Sequence, residues 1–265
     1  EHSMKVACFT VATMDYFPQQ RRHFPGGNAL NQAVRFSDLG LESAFIGAVG
    51  TDSAGDTIQS LFEKRHVDTS HMYRLPGATA NNQLVNDESG ERFGVEGTWT
   101  GGVYDEFTMS DDDWDYIANF ELWSTHADGK HYETALERKS TSNFLVVDFL
   151  HFNTYELLLK GRDTVDIAYF GGVPEQQKEL EKLSRDFPGV IVLTLGAKGS
   201  IAIRDGETFY QPALPLDKVV DTTGCGDAFQ SGFTTRYIAS RNIQKSLMQG
   251  AEMGRKAAMN YGGIQ

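Results

Sequence analysis

"DTTGCGDAFQSGF", residues 221–233, sets Gly224 and Gly226 around Cys225, adds Asp227, and then turns apolar. Glycine lets a backbone bend tightly without Cβ clashes, and the residues that follow, 226–239, carry a helical pattern. The first-turn amides of such a helix point outward unpaired at its positive end, where phosphate-like charge is favoured. A carboxylate at 227 stands where it can accept a proton from a hydroxyl held beside those amides. A plain turn with a helix cap accounts for the glycines. It does not account for a Cys-Gly-Asp run between an extended segment and a helix.

Outward from this stretch, short apolar runs alternate with helical patterns. Residues 5–12, 43–50, 144–150, 165–172 and 189–196 read as buried strands, being nearly continuous apolar runs. Helical patterns fall at 28–38, 55–65, 110–119, 174–185, 226–239 and 244–261. This alternation predicts a mostly parallel sheet with helices on both faces. The acids after Ser110 sit in the first turn of a capped helix, a simpler account of them than a metal site. Residues 70–103 break the pattern with turn residues and alternating polarity, including a hairpin around Glu88-Ser89-Gly90. With residues about 10–24 they are expected to form a small β lid on a single domain of residues 1–265.

The 265 residues suffice for one large α/β domain, and 40% hydrophobic with 23% charged residues is ordinary for a globular chain. A net charge of −12 with no Lys/Arg cluster argues against nucleic-acid and anionic-membrane partners. The apolar runs are too short to span a bilayer. Cys8 and Cys225 are the only cysteines, and Met4-Lys5-Val6-Ala7 reads as a start without a signal peptide. A cytoplasmic protein is the expectation.

Four ordered stretches carry a resemblance. "DTTGCGD" is similar to the second signature of the PfkB (ribokinase-like) carbohydrate kinase family, Asp-Thr-x-Gly-Ala-Gly-Asp. "PGGNALNQAVRFSDLG" (25–40) matches its Gly-Gly-x-x-x-Asn pattern with Gly26, Gly27 and Asn31. "VGTDSAGDTI" (49–58) matches Gly-x-Asp-x-x-Gly with Gly50, Asp52 and Gly55, and "VLTLGAKGS" (192–200) resembles the nucleotide-binding strand and loop. The resemblance implies a three-layer α/β/α fold with a mostly parallel central sheet and a small β-sheet lid. It also implies an ATP-dependent sugar kinase that uses Mg2+ with the nucleotide.

Carried over residue by residue, Asp227 matches the base, and the amides of Gly224, Cys225 and Gly226 match the anion hole. Asp15, Gly27 and Asn31 match sugar contacts, with Asn28 beside them as either a contact or a helix cap. Arg92, on the lid, is the nearest candidate cation for a phosphate or an acidic acceptor, against a simply solvated charge. Thr194, Gly196 and Gly199 match nucleotide contacts, with Lys198 either near phosphates or solvated. Asp221 and Thr223 mark a candidate K+ site. Cys225 replaces the usual alanine, and either a small side chain suffices there or a lowered thiol pKa makes it oxidation-sensitive. In "YFGGVPEQQKEL" the family's Asn-x-x-Glu element lacks its asparagine, since Gly172 stands three residues before Glu175. This leaves Glu175 as the candidate acid behind Mg2+. The lid and the helix after it resemble those of fructoselysine 6-kinases. Ribose, fructose and a deoxy-sugar acid stay open as acceptors, as does a non-catalytic sugar or nucleotide sensor on the same fold. A homodimer through the exposed edges of the lid is expected.

Overall fold

The computed structural model describes residues 2–127 and 130–264. Nine strands form the main sheet: β1 (Lys5–Thr10), β4 (Glu42–Gly50), β5 (Met72–Leu75), β8 (Leu122–His126), β9 (Phe144–Asp148), β10 (Ile167–Gly171), β11 (Val190–Thr194), β12 (Ser200–Arg204) and β13 (Glu207–Gln211). Their order across the sheet is β13-β12-β11-β10-β9-β8-β1-β4-β5, parallel from β11 through β5 and antiparallel at β12 and β13. A second sheet holds β2 (Thr13–Phe17), β3 (Arg22–Gly26), β6 (Asn81–Asn86) and β7 (Arg92–Gly94), in the order β3-β2-β6-β7.

The continuous apolar runs arise because both faces of the main sheet are covered. Along β1, Ala7 and Phe9 face one core with Trp114, Trp123 and Phe170. Val6 and Cys8 face the other, with Phe45, Phe62, Tyr169 and Phe233. The first core is closed by helices Asp111–Ile117, His131–Arg138, Glu156–Lys160 and Gln177–Ser184, the second by Asn28–Asp38, Ser53–Lys64, Cys225–Ser240 and Ile243–Ala257. The architecture is the three-layer α/β/α arrangement expected. Ser110 caps its helix, accepting from the Asp113 N–H at 3.2 Å, as the acid run predicted.

Two departures from expectation stand beside one that holds. Residues 70–103 do not all join the lid, because Met72–Leu75 pairs in parallel with β4 at the edge of the main sheet. Strand β8, between β1 and β9, and the antiparallel pair β12 and β13 have no counterpart among the predicted strands. The hairpin around residues 88–90 is present, with Asn86 facing Arg92.

The glycines and acid of the 49–58 motif serve the backbone. Asp52 accepts from the N–H groups of Gly55 (2.9 Å) and Thr79 (2.8 Å) and from the Thr79 hydroxyl (2.7 Å). A Cβ on Gly55 would lie 2.0 Å from the Gly50 carbonyl oxygen, so only glycine fits.

Candidate active site

Strand order reverses at β1, which has β8 on one side and β4 on the other, and open α/β sheets place ligands at such a point beyond the strand ends. A cleft of about 650 Å³ opens there. Its walls come from the chain after β1 (Val11, Thr13, Asp15), from the ends of β8 to β11 (His126, Asp148, Gly171, Thr194), from the lid (Asn82, Glu91, Arg92) and from the turn at 222–227.

Asp227 lies in the first turn of helix Cys225–Ser240, whose N-cap, Gly224, adopts φ 76°. Its Oδ1 accepts from Asn28 Nδ2 at 2.8 Å and its Oδ2 from Asn31 Nδ2 at 2.8 Å. The two asparagines are one turn apart on helix Asn28–Asp38 and present their amides side by side. Asn28 therefore does not cap that helix; Gly27 does, with φ 94° and no side-chain bond. Asn28 Nδ2 also lies 3.3 Å from Asp148 Oδ2. Desolvation, reinforced by the Asp148 charge, pushes the Asp227 pKa up to about 6 against the pull of the two asparagines and Arg92.

Asp15 extends from β2 into the same cleft, accepting from Thr13 Oγ1 at 3.0 Å. Burial raises its pKa to about 6, opposed by the Thr13 bond and the Arg92 charge. Gly26 leaves room for it, since a Cβ there would lie 2.2 Å from Asp15 Oδ2.

The three-amide cradle predicted at 224–226 loses one member. The Cys225 N–H donates to the Thr222 carbonyl at 3.1 Å, closing the turn, while among the described residues the Gly224 and Gly226 N–H groups have no partner. Cys225 also departs from the lowered-pKa expectation. Burial and the neighbouring Asp221 charge push its thiol up to about 12, so the helix N-terminus does not activate it.

Asp221 is fully buried and wholly engaged. Its Oδ1 accepts from Thr223 N (3.0 Å), Thr223 Oγ1 (2.7 Å) and Asn86 Nδ2 (2.7 Å), and its Oδ2 from Gly262 N (2.7 Å). Four protein donors already occupy this carboxylate, and Thr223 spends its hydroxyl proton on it. The carboxylate ties lid, turn and C-terminal segment together.

Of the four residues expected to meet a nucleotide, Thr194 and Gly196 line the cleft, whereas Lys198 and Gly199 do not. Gly199, with φ 93°, has a structural reason, since a Cβ would meet the Gln211 carbonyl oxygen at 2.3 Å. Glu175 is exposed and outside the cleft lining. The space beside Gly172 is taken by Gln176, whose Oε1 accepts from Val173 N at 3.0 Å and would lie 1.9 Å from a Cβ at 172.

Asp148, His126, His151, Glu91, Trp99 and Tyr104 also line the cleft, and motif reading did not find them. One of them had a signal. Asp148 is an acid toward the end of a predicted strand of the parallel sheet, where ligands gather.

With this geometry in view, the comparisons are consistent. The pfkB family carbohydrate kinase model matches residues 9–136 and 134–265, so the chain belongs to that family of sugar kinases. The chain is 28% identical to fructosamine kinase FrlD of Bacillus subtilis, covering 98% of this chain and 92% of the relative. It is 28% identical to fructoselysine 6-kinase of Escherichia coli, covering 96% and 98%. Among solved structures, Arabidopsis thaliana ribokinase complexed with ribose and ATP aligns with TM-score 0.80 at 20% identity, covering 99% of this chain and 94% of that one. Adenosine kinase from Sinorhizobium meliloti aligns with TM-score 0.81 at 18% identity, covering 100% and 96%. No helix among the described residues is long and apolar enough to cross a membrane.

Proposed function

We propose that this sugar kinase transfers the γ-phosphoryl group of ATP to the 6-hydroxyl of a fructosamine, with fructoselysine the preferred acceptor. The observation that carries the reading is the sharing of one cleft by Asp227, its asparagine donors, Asp15 and the unpartnered amides of Gly224 and Gly226. The acceptor class is supported by likeness over nearly the full chain to a fructosamine kinase and a fructoselysine 6-kinase.

In this reading Asp227 takes the proton of the acceptor hydroxyl as the phosphoryl group arrives. Asn28 and Asn31 hold both of its oxygens, so the carboxylate is oriented before substrate binds. The Gly224 and Gly226 amides donate to the transferred phosphoryl group, adding to the positive end of the helix. Asp15 accepts from sugar hydroxyls, and Gly27 lets the chain approach the sugar closely. Asn31 Oδ1, buried and without a partner among the described residues, is an acceptor beside that path. Thr194 and Gly196 border the nucleotide.

Magnesium bound with ATP would neutralise phosphate charge. The described residues hold no cluster of three metal-ligating side chains. That suits an ion that keeps most of its ligands from phosphate and water. Asp148, whose Oδ1 accepts from the Leu150 N–H and whose Oδ2 lies 3.3 Å from Asn28 Nδ2, is the cleft carboxylate that would hold it. Pairing of two copies through the lid belongs to the same reading, because β3 and β7 each have one strand neighbour and Phe93 is 52% exposed. Sedimentation at micromolar concentration checks it, with dimers expected and a monomer contradicting it.

The test is ADP release measured with fructoselysine, fructose, ribose and a deoxy-sugar acid. Fructoselysine is expected to give the highest kcat/KM. A preference for ribose or the sugar acid would overturn the acceptor, and silence across the panel would favour the sensor.

A further inference from the structure

We infer that the lid tip forms a second acceptor subsite for the amino-acid end of a glycated amino acid. Arg92 takes its carboxylate, Glu91 its ammonium and Trp99 its methylene chain. This rests on the fructosamine-kinase reading above and deepens it.

Charge balance is the first argument. The cleft is lined by the carboxylates of Asp15, Glu91, Asp148 and Asp227 against one guanidinium, that of Arg92. A sugar acid or sugar phosphate would enter against this excess of negative charge, at close range and partly desolvated. An acceptor that brings cationic nitrogen is favoured instead, and a single carboxylate on it has a single cation to find.

The local geometry is the second. Glu91 and Arg92 are adjacent, exposed and opposite in charge, yet neither forms an ion pair within 4.0 Å with the other or with another described residue. Their backbone is nevertheless fixed. Arg92 N donates to Thr222 Oγ1 at 2.9 Å and Glu91 N to Asp87 Oδ1 at 3.0 Å. The Glu91 carboxylate has only a 3.3 Å contact from the Thr222 hydroxyl. Two charged heads on a pinned backbone, open to the cleft, are organised for a zwitterion before it arrives.

The third argument is the indole. Trp99 is 50% exposed where it lines the cleft, with Tyr104 edge-on at a centroid distance of 6.4 Å. A flat indole face open to the cleft offers an apolar contact for an alkyl chain ending in the zwitterion.

The experiment uses the whole protein with four acceptors: Nε-fructosyl-lysine, its Nα-acetyl derivative, fructosyl-cadaverine (no carboxylate) and fructosyl-pentylamine (neither charge). In the unaltered protein, each lost charge is expected to lower kcat/KM by about 10- to 100-fold, mainly through KM. Arg92→Ala should erase the difference between fructosyl-lysine and fructosyl-cadaverine, and Arg92→Lys should keep part of it. Glu91→Gln should erase the difference made by acetylation. Equal kcat/KM for all four acceptors in the unaltered protein, or a difference between fructosyl-lysine and fructosyl-cadaverine that survives Arg92→Ala, would overturn the subsite. Turnover of a free sugar with none of the four would instead sink the fructosamine reading itself, an outcome distinct from equal turnover.

Discussion

The floor and the lid of the cleft are built from opposite kinds of surface. The floor stands on strands β1 and β8 to β11, which are buried on both faces, and its acids are held by named donors, as Asp227 is by Asn28 and Asn31. The lid is a small sheet whose strand β7 is exposed throughout, and its charged side chains at 91 and 92 reach the cleft without ion pairs among the described residues. A proton transfer tolerates little misplacement, so it belongs on the part that packing fixes. Choice of acceptor belongs on a surface that can change without disturbing the core. Asp221 is the joint, since it binds Asn86 of the lid and Thr223 of the turn before Asp227 with the same oxygen.

This contrast can be broken by substitution. The largest effect is expected at the floor, where Asp227→Asn should lower kcat by about 10²–10⁴ for every acceptor while ATP still binds by calorimetry. Loss for one acceptor alone would move Asp227 from chemistry to recognition. Next comes the joint. Asp221→Ala strands four buried donors and should cost about 3–5 kcal/mol in urea unfolding, against about 1–2 kcal/mol for Asn86→Ala. Equal costs would mean that the lid alone depends on this contact. A smaller effect is expected at Gly224, where alanine must adopt φ 76° with its Cβ 2.7 Å from Gly263 Cα. Gly224→Ala should cost about 1–3 kcal/mol and slow turnover; unchanged stability would show that the turn relaxes freely.

The same contrast governs how much could be read from sequence. The floor was legible because its demands are local: glycine at a positive φ, an acid in a helix's first turn, apolar runs for strands covered on both faces. Gathering Asp15, Asn31 and Asp227 into one cleft followed from the family resemblance, which the motifs carried. Strand β8 escaped because "LWSTH" is short and mixes polar with apolar residues. Its Ser124, Thr125 and His126 are buried yet read as loop, and Thr125 is accommodated by donating to the Phe9 carbonyl at 2.5 Å. The spent amide of Cys225 and the four donors on Asp221 depend on contacts between distant segments, and no local pattern announces them. Glu91 and Trp99 were overlooked because a charge and an aromatic on a hairpin look like ordinary surface until the lid is seen to border the cleft.

The smallest expected effect is also the most direct test of the central claim that Asp227 is the base. A carboxyl raised to about 6 is mostly protonated below that pH and cannot take a proton. The same shift means that the native state binds more protons than the unfolded chain between about pH 4 and 6, so this group's contribution to stability falls as pH rises through that window. The measurement is kcat/KM against pH. The account predicts an acid limb near pH 6 and a plateau above it, with the limb moved to higher pH in Asn31→Ala, which removes a donor to the ionised form. A profile flat to pH 4.5, or a limb left in place by Asn31→Ala, would contradict it.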